Sequence, residues 1–198
     1  MMNMNDLVAL IPNLTLSSER LTLRKINASD FDTMVAHEQN PQLMKYIRPI
    51  TSLKDTQEKV QQCIDDWHGN EGQWLMFVAH LKDHTDKLAN SNNDLIGMVC
   101  LNFESLEFKR VEIGYRFHSD FHGHGYAFEA TKTVTDFLFN QVKIHKLLAY
   151  CVADHQASYR LMEKLGMQRE ACFRQHTKLA DNAWHDELVY GLLAQDYC

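Results

Sequence analysis

Apolar and polar positions alternate from 20 to 26, where Leu21 and Leu23 are separated by Thr22 and followed by Arg24 and Lys25, and this period of two predicts a short strand. The spacing then turns helical. Asn27, Ser29 and Asp30 offer capping oxygens before Phe31, Met34 and Val35, and Asn40-Pro41 ends that helix because proline pushes its predecessor out of helical angles. A second helix is expected from Thr51 or Ser52, with Val60, Cys63, Ile64 and Trp67 as its buried stripe and His68-Gly69-Asn70 as its stop. Residues 74–80 and 95–103 read as strands joined by a polar surface loop, 82–94. A strand at 111–117 leads through the turn 122–126 into a helix whose stripe is Ala127, Ala130, Val134, Phe137 and Leu138. A dense apolar strand at 145–152 precedes a helix carrying Leu161, Met162 and Leu165, which Gly166 closes. Two last strands are expected at roughly 167–176 and 184–193.

This order predicts an α/β fold, a mixed sheet flanked by helices. A length of 198 residues fits one domain, and 45% apolar with 23% charged residues fits a folded chain whose core needs no disulfide or metal. Twenty basic against 26 acidic side chains leave a net charge of -6, with no block of either sign. That balance argues against a nucleic-acid binder and favours cationic small substrates or basic protein tails. Cys63, Cys100, Cys151, Cys172 and Cys198 are odd in number and widely spaced, as reduced core thiols are. The apolar runs fall far short of the ~18 residues that span a bilayer. Residues 1–10 lack a basic region followed by an apolar core, so a cytoplasmic protein without a membrane partner is expected.

Candidate chemistry concentrates in His122-Gly123-His124-Gly125-Tyr126-Ala127, between a strand and a helix. Glycines permit a tight turn and close approach of a ligand, and the helix start offers free N–H groups and a positive dipole end to a pyrophosphate. Alone, the segment is better explained as a plain strand–helix turn, and it matches neither G-x-G-x-x-G nor G-x-x-x-x-G-K-[ST]. His118, His122 and His124 could be read as metal ligands, but no carboxylate or cysteine stands at a supporting spacing, so no metal is expected.

Taken in order, Leu95-Ile96-Gly97, Val111-Glu112-Ile113-Gly114-Tyr115, the glycine turn, His155-Gln156-Ala157-Ser158 and Glu163-Lys164-Leu165-Gly166-Met167 form a series. The series resembles the GNAT superfamily of acetyl-CoA-dependent N-acetyltransferases, and within it the RimJ/RimL-like branch. Arg20-Leu21-Thr22-Leu23-Arg24 is similar to that branch's opening strand, so the likeness spans roughly 18–193. It implies a V-shaped, mixed but mostly antiparallel sheet with acetyl-CoA held where two neighbouring strands part. It also implies that backbone groups near Phe117 and His118 hold the pantetheine arm. The family's pyrophosphate loop, [QR]-x-x-G-x-[GA], falls on His122, Gly123, His124, Gly125, Tyr126 and Ala127, with His122 in place of Gln or Arg. His155 stands where the branch has a cofactor-contacting Asn. Ser158 matches a serine placed beside the CoA sulfur, or is an exposed helix residue. Met162 occupies the position of the tyrosine acid of other GNAT enzymes.

Acetyl transfer needs a neutral amine. An α-amine of pKa ~7.7–8.0 is partly neutral near pH 7.5, whereas a lysine or polyamine near ~10.4 depends more on a base. Glu112 is the first base candidate, with an exposed carboxylate or a structural ion pair as its alternatives; His176 is the second. Tyr115 either lines the acceptor cleft or packs. Asp181, Asp186 and Glu187 form an acidic acceptor cleft or are solvated hairpin charges, and Trp67 and Trp74 are core or cleft walls. Cys151 lies in an apolar strand, which argues against an acetyl-cysteine intermediate. The resemblance implies a protein N-terminal α-amine as acceptor, as for ribosomal-protein acetyltransferases. A polyamine or other small amine, or a non-catalytic acyl-CoA-binding module, are the alternatives. Strands at the carboxyl end leave a homodimer open.

Overall fold

The computed structural model describes residues 3–82 and 95–197, so most of the expected loop at 82–94, and Cys198, lie outside the described residues. Eight strands form one sheet in the order β1-β2-β3-β4-β5-β6-β8-β7: β1 Thr15–Ser17, β2 Leu21–Lys25, β3 Trp74–Leu81, β4 Leu95–Ser105, β5 Arg110–Phe117, β6 Lys146–Val152, β7 Gln168–Lys178 and β8 Trp184–Leu193. Among these, only β5 and β6 pair in parallel. The helices are α1 Met4–Leu10, α2 Phe31–Glu38, α3 Pro41–Met44, α4 Leu53–Ile64, α5 Tyr126–Phe137 and α6 Gln156–Lys164.

Alternation along the strands divides the core. Leu101, Phe103, Val111 and Ile113 join Ala130, Val134 and Phe137 of α5 on one face. Met76, Val78 and Met98 join Met34 of α2 and Val60 of α4 on the other. A sheet covered on both faces explains why β3 and β4 read as nearly continuous apolar runs.

Several local expectations shift for identifiable reasons. Ser52 caps α4, its Oγ accepting from Asp55 N at 3.1 Å, but the helix stops at Ile64 and leaves Trp67 outside it. Lys25 Nζ takes the carbonyls of Cys63, Ile64 and Asp65 at 3.3, 2.7 and 2.9 Å, supplying donors that a helix end lacks. Trp67 is still core, its ring 5.5 Å from that of Phe103. Helix α2 ends at Glu38, and Asn40 instead caps α3 through Gln42 N at 2.9 Å, with Pro41 at the first helical position. Helix α1 and strand β1 were not anticipated.

The parallel pair β5/β6 is short. Arg110, Val111 and Glu112 face Lys146, Leu147 and Leu148, and the pairing then ends. Beyond it β5 stays with β4 as far as Gly97↔Phe117, and β6 stays with β8 as far as Val152↔Glu187. The sheet therefore opens as a V. Gly97 keeps the outer arm closed, since a Cβ there would lie 2.4 Å from Phe117 Cδ1 and 2.6 Å from the Arg116 carbonyl oxygen. Gly97→Ala is expected to cost about 1–3 kcal/mol, read as a lower urea midpoint.

Candidate active site

On the α2/α4 side of the opening lies a cleft of about 920 Å³ whose floor includes Met98, Cys100, Glu112 and Gly114. Glu112 occupies the last paired position of β5 before the strands part. Its carboxylate accepts from Asn102 Nδ2 at 3.3 Å, and among the described residues no cation pairs with it. Burial holds its pKa above the ordinary carboxylate value, with Glu104 and Glu187 adding to the effect. Of its sequence readings, the ion pair and the exposed carboxylate are both set aside.

Tyr115 and Ser158 meet across the gap. Tyr115 OH donates to the Ser158 carbonyl at 2.9 Å and lies 3.1 Å from Ser158 Oγ, tying β5 to the first turn of α6. Burial pushes the Tyr115 phenol well up, so it remains a neutral donor. Ser158 is buried, which removes its reading as an exposed helix residue. Cys151 stands nearby on the same cleft, and burial pushes its thiol up to about 11. A thiol held protonated is a poor nucleophile.

Glu187 reaches the cleft, and Thr177 Oγ1 donates to it at 3.0 Å. Asp181 and Asp186 do not. Asp181 accepts from His185 Nε2 at 3.0 Å within the hairpin, and Asp186 accepts from Gln175 N at 2.8 Å. This second contact stabilises a slip in register between Phe173 and Thr177, where Gln175 adopts a φ of 48°. The slip turns Thr177 into the cleft and leaves the His176 side chain 58% exposed, 3.6 Å from Glu187 Oε2. His176 is therefore not brought together with Glu112. Trp74 does form part of the cleft wall.

A buried ion pair that sequence reading missed supports the wall above this floor. Glu38 at the end of α2 accepts from Arg116 Nη2 of β5 at 2.6 Å, and its other oxygen is bound by Arg48. Arg116 Nη1 also contacts Met44 Sδ at 2.9 Å. Burial, with Arg116 and His118 adding to it, lowers His37 to about 4, so this histidine is neutral at pH 7. Tyr46 stacks on His155 at 4.6 Å and 18°, which draws the segment carrying Tyr46 and Arg48 over the cleft. Burial lowers the His155 pKa, and His122 adds to the shift. The available signal was Arg116 itself, a charge between Tyr115 and Phe117 at the end of an apolar strand, which requires a partner once buried.

On the opposite face, β5 runs through a short turn at 119–121 into the glycine loop. Gly123 and Gly125 have φ of 80° and 81°, a region that favours glycine, and a Cβ at Gly123 would meet nothing within 4 Å. Gly125 caps α5 without a side-chain hydrogen bond, so the leading amides of that helix are not covered by a capping side chain. The loop histidines fold back on the backbone. His122 Nε2 donates to the Phe117 carbonyl at 2.8 Å, and His124 Nδ1 donates to the His122 carbonyl at 2.8 Å. A carbonyl only accepts, so both tautomers are fixed. Arg20, the residue before β2, braces the loop, donating from Nη1 to the His124 carbonyl at 3.0 Å and from Nε to Glu129 Oε2 at 2.7 Å, with its guanidinium 4.4 Å from the Tyr126 ring centroid. Tyr126 and Ala127 pack into the core beneath. His118 turns away from the loop, its ring 5.5 Å from His37 and its Nδ1 accepting from Asp120 N at 3.4 Å. Among the described residues no group of three His, Cys, Asp or Glu side chains could hold a metal ion.

The glycine loop at the start of α5 and the cleft on the α2/α4 side flank the gap between β5 and β6. Residues 20–168 match the model of the acetyltransferase (GNAT) domain, so the chain belongs to the GNAT family of acetyl-CoA-dependent N-acetyltransferases. It is 29% identical over 185 residues to the uncharacterized N-acetyltransferase p20 of Bacillus licheniformis, covering 92% of this chain and 98% of that one. Similarity to the [ribosomal protein uS5]-alanine N-acetyltransferase of Escherichia coli is 22% over 195 residues and 94% of each chain, in keeping with the RimJ/RimL-like branch. The solved spermidine N-acetyltransferase of Vibrio cholerae, in complex with CoA and spermine, shares the fold with a TM-score of 0.75 at 20% identity, covering 91% of this chain and 99% of that one.

Removing one partner of the Glu38–Arg116 pair strands a buried charge. Glu38→Ala is expected to cost about 3–5 kcal/mol in urea denaturation. Lys54→Ala, which breaks an exposed pair with Glu58, should cost under about 1 kcal/mol.

Proposed function

We propose that this chain transfers acetyl from acetyl-CoA by direct attack of an amine entering from the α2/α4 side, and that a protein N-terminal α-amine is the acceptor. The observation that carries the reading is Glu112, a half-buried carboxylate with no cationic partner among the described residues, at the point where β5 and β6 part. A base with a raised pKa removes a proton near neutral pH more effectively than its strength in water suggests, because it need not shed a hydration shell. Glu112 takes one proton from the acceptor, and the nitrogen lone pair attacks the thioester carbonyl carbon. Backbone N–H groups of the parted β5 polarise the carbonyl oxygen. The C–S bond breaks, the thiolate takes a proton from Ser158 Oγ, which Tyr115 holds in place, and Ser158 is reprotonated by the second proton that the attacking nitrogen sheds as it becomes an amide. The glycine loop receives the pyrophosphate on amides, so His122 serves as a brace where the family has Gln or Arg. His155 shapes the wall by stacking on Tyr46.

The N-terminal reading is supported by likeness to the uS5-alanine acetyltransferase. A small cationic amine is the second reading, favoured by the cleft itself, which Asp65, Asp66, Glu112 and Glu187 line. Incubation with acetyl-CoA and a panel of N-terminal peptides and polyamines separates the two by which class releases CoA. Acetyl-CoA binding without release on any amine would leave an acyl-CoA-binding module.

Glu112→Gln is expected to lower kcat/KM at least about 100-fold and to remove the acid limb of its pH profile. Stability should move the other way. A carboxyl whose folded pKa is raised contributes stability that is present below its unfolded pKa and lost as pH rises through the folded value. At pH 8 the variant is therefore expected to match or exceed the wild-type urea midpoint.

A further inference from the structure

We infer that His185 of β8 is a positioning residue for Ser158, clasping the β6–α6 turn to the tip of the β7–β8 hairpin, an inference that rests on the acetyl-transfer reading above. The ring meets a carboxylate at each nitrogen. Nδ1 lies 2.9 Å from Asp154 Oδ2, and Nε2 lies 3.0 Å from Asp181 Oδ2. An ionised carboxylate only accepts, so both nitrogens donate and the ring is an imidazolium. A neutral ring has one N–H and turns a lone pair towards one of the two carboxylates. Asp181 is fixed from its other side by Ala183 N, which donates to it at 3.0 Å.

The clasp stands where the sheet stops supporting the turn. Pairing of β6 with β8 ends at Val152↔Glu187, and one more backbone bond follows, from Ala153 N to the Asp186 carbonyl at 2.9 Å. Asp154 comes next, and then His155, which starts α6 without a side-chain capping bond. Ser158 N donates to the His155 carbonyl at 3.0 Å, so Ser158 moves with the turn that Asp154 anchors. The other charged groups of the hairpin are engaged apart from the ring. Asp186 accepts from Gln175 N, Glu187 accepts from Thr177 with His176 3.6 Å away, and Lys178 lies over Trp184. Thr177, opposite His185 on β7, carries no charge. The hydrogen bond to Asp154 holds the imidazole above its ordinary pKa, and Asp181 adds to the effect. The clasp is therefore complete below the unfolded value of ~6.5 and is lost as pH rises through the raised folded value.

The test is kcat against pH for wild type, His185→Ala, His185→Arg and Asp154→Asn, with hydrogen exchange of the amides of 153–158 corrected for its intrinsic pH dependence. Wild-type kcat is expected to fall on the basic side as the clasp opens, and exchange at 153–158 to quicken over the same range. Asp154→Asn removes one of the two charges that favour the imidazolium, so the basic limb moves to lower pH. His185→Ala is expected to lower kcat about tenfold through misplacement of Ser158. Arginine is a permanent cation with several N–H donors, so His185→Arg restores most of that loss and abolishes the limb. A basic limb that keeps its position in both His185→Arg and Asp154→Asn would overturn this inference and leave acetyl transfer intact. Failure of the wild type to release CoA on any amine would overturn the acetyl-transfer reading, and exchange then decides on the clasp alone. Exchange that quickens with pH in wild type and not in His185→Arg supports it; equal exchange in the two overturns it.

Discussion

Three residue pairs hold the two halves of the sheet together. Arg110, Val111 and Glu112 pair with Lys146, Leu147 and Leu148, and everything that resembles chemistry in this molecule follows from the pairing stopping there. Two parallel strands need a long crossover, and here the crossover is the glycine loop with α5. The connection that makes the pair parallel is thus the one that brings a helix N-terminus to its open end. Backbone groups left without a partner strand are costly when buried and useful when a ligand can pair with them. Strand β5 keeps β4 and strand β6 keeps β8 through the whole divergence, so the opening is a fixed feature of the sheet.

The opening separates two electrostatic environments. The cleft side gathers carboxylates: Glu112 and Glu187 line it, and Tyr150 OH anchors Glu104 at 3.0 Å behind them. The loop side presents helix amides, with Arg20 and the loop histidines turned to structural duty. Opposite charges would be drawn to opposite faces of such a sheet, with the gap between them. The Glu38–Arg116 pair bridges these regions mechanically, because Arg116 belongs to β5 and Glu38 to the helix that walls the cleft.

The strong periodicities were legible in the sequence, and so was the order of motifs that placed the glycine loop between a strand and a helix. Contacts far apart in the chain were not. Glu38 and Arg116 are 78 residues apart, and nothing in either local pattern names the other. Trp67 fits a helical stripe by spacing, but Lys25 ends the helix from another strand. His176 lies close in sequence to the expected base position, yet an irregular register decides which neighbour enters the cleft, and it is Thr177. Ser158 was ambiguous for the same reason: its burial comes from Tyr115, on a strand that the sequence places 43 residues earlier.

The departures from the family's loop pattern acquire a physical account from the same geometry. A Gln or Arg at the first loop position could serve an anion with its side chain, whereas His122 uses its Nε2–H on the Phe117 carbonyl. That bond joins the end of β5 to the start of the loop, and Arg20 joins the far side of the loop to β2 through the His124 carbonyl and Glu129. With both ends braced, Gly123 and Gly125 hold their left-handed conformations, and the amides of α5 keep their direction without help from a side chain. Binding an anion on preorganised amides costs little reorganisation, so a loop of this shape does not need a charged side chain for it.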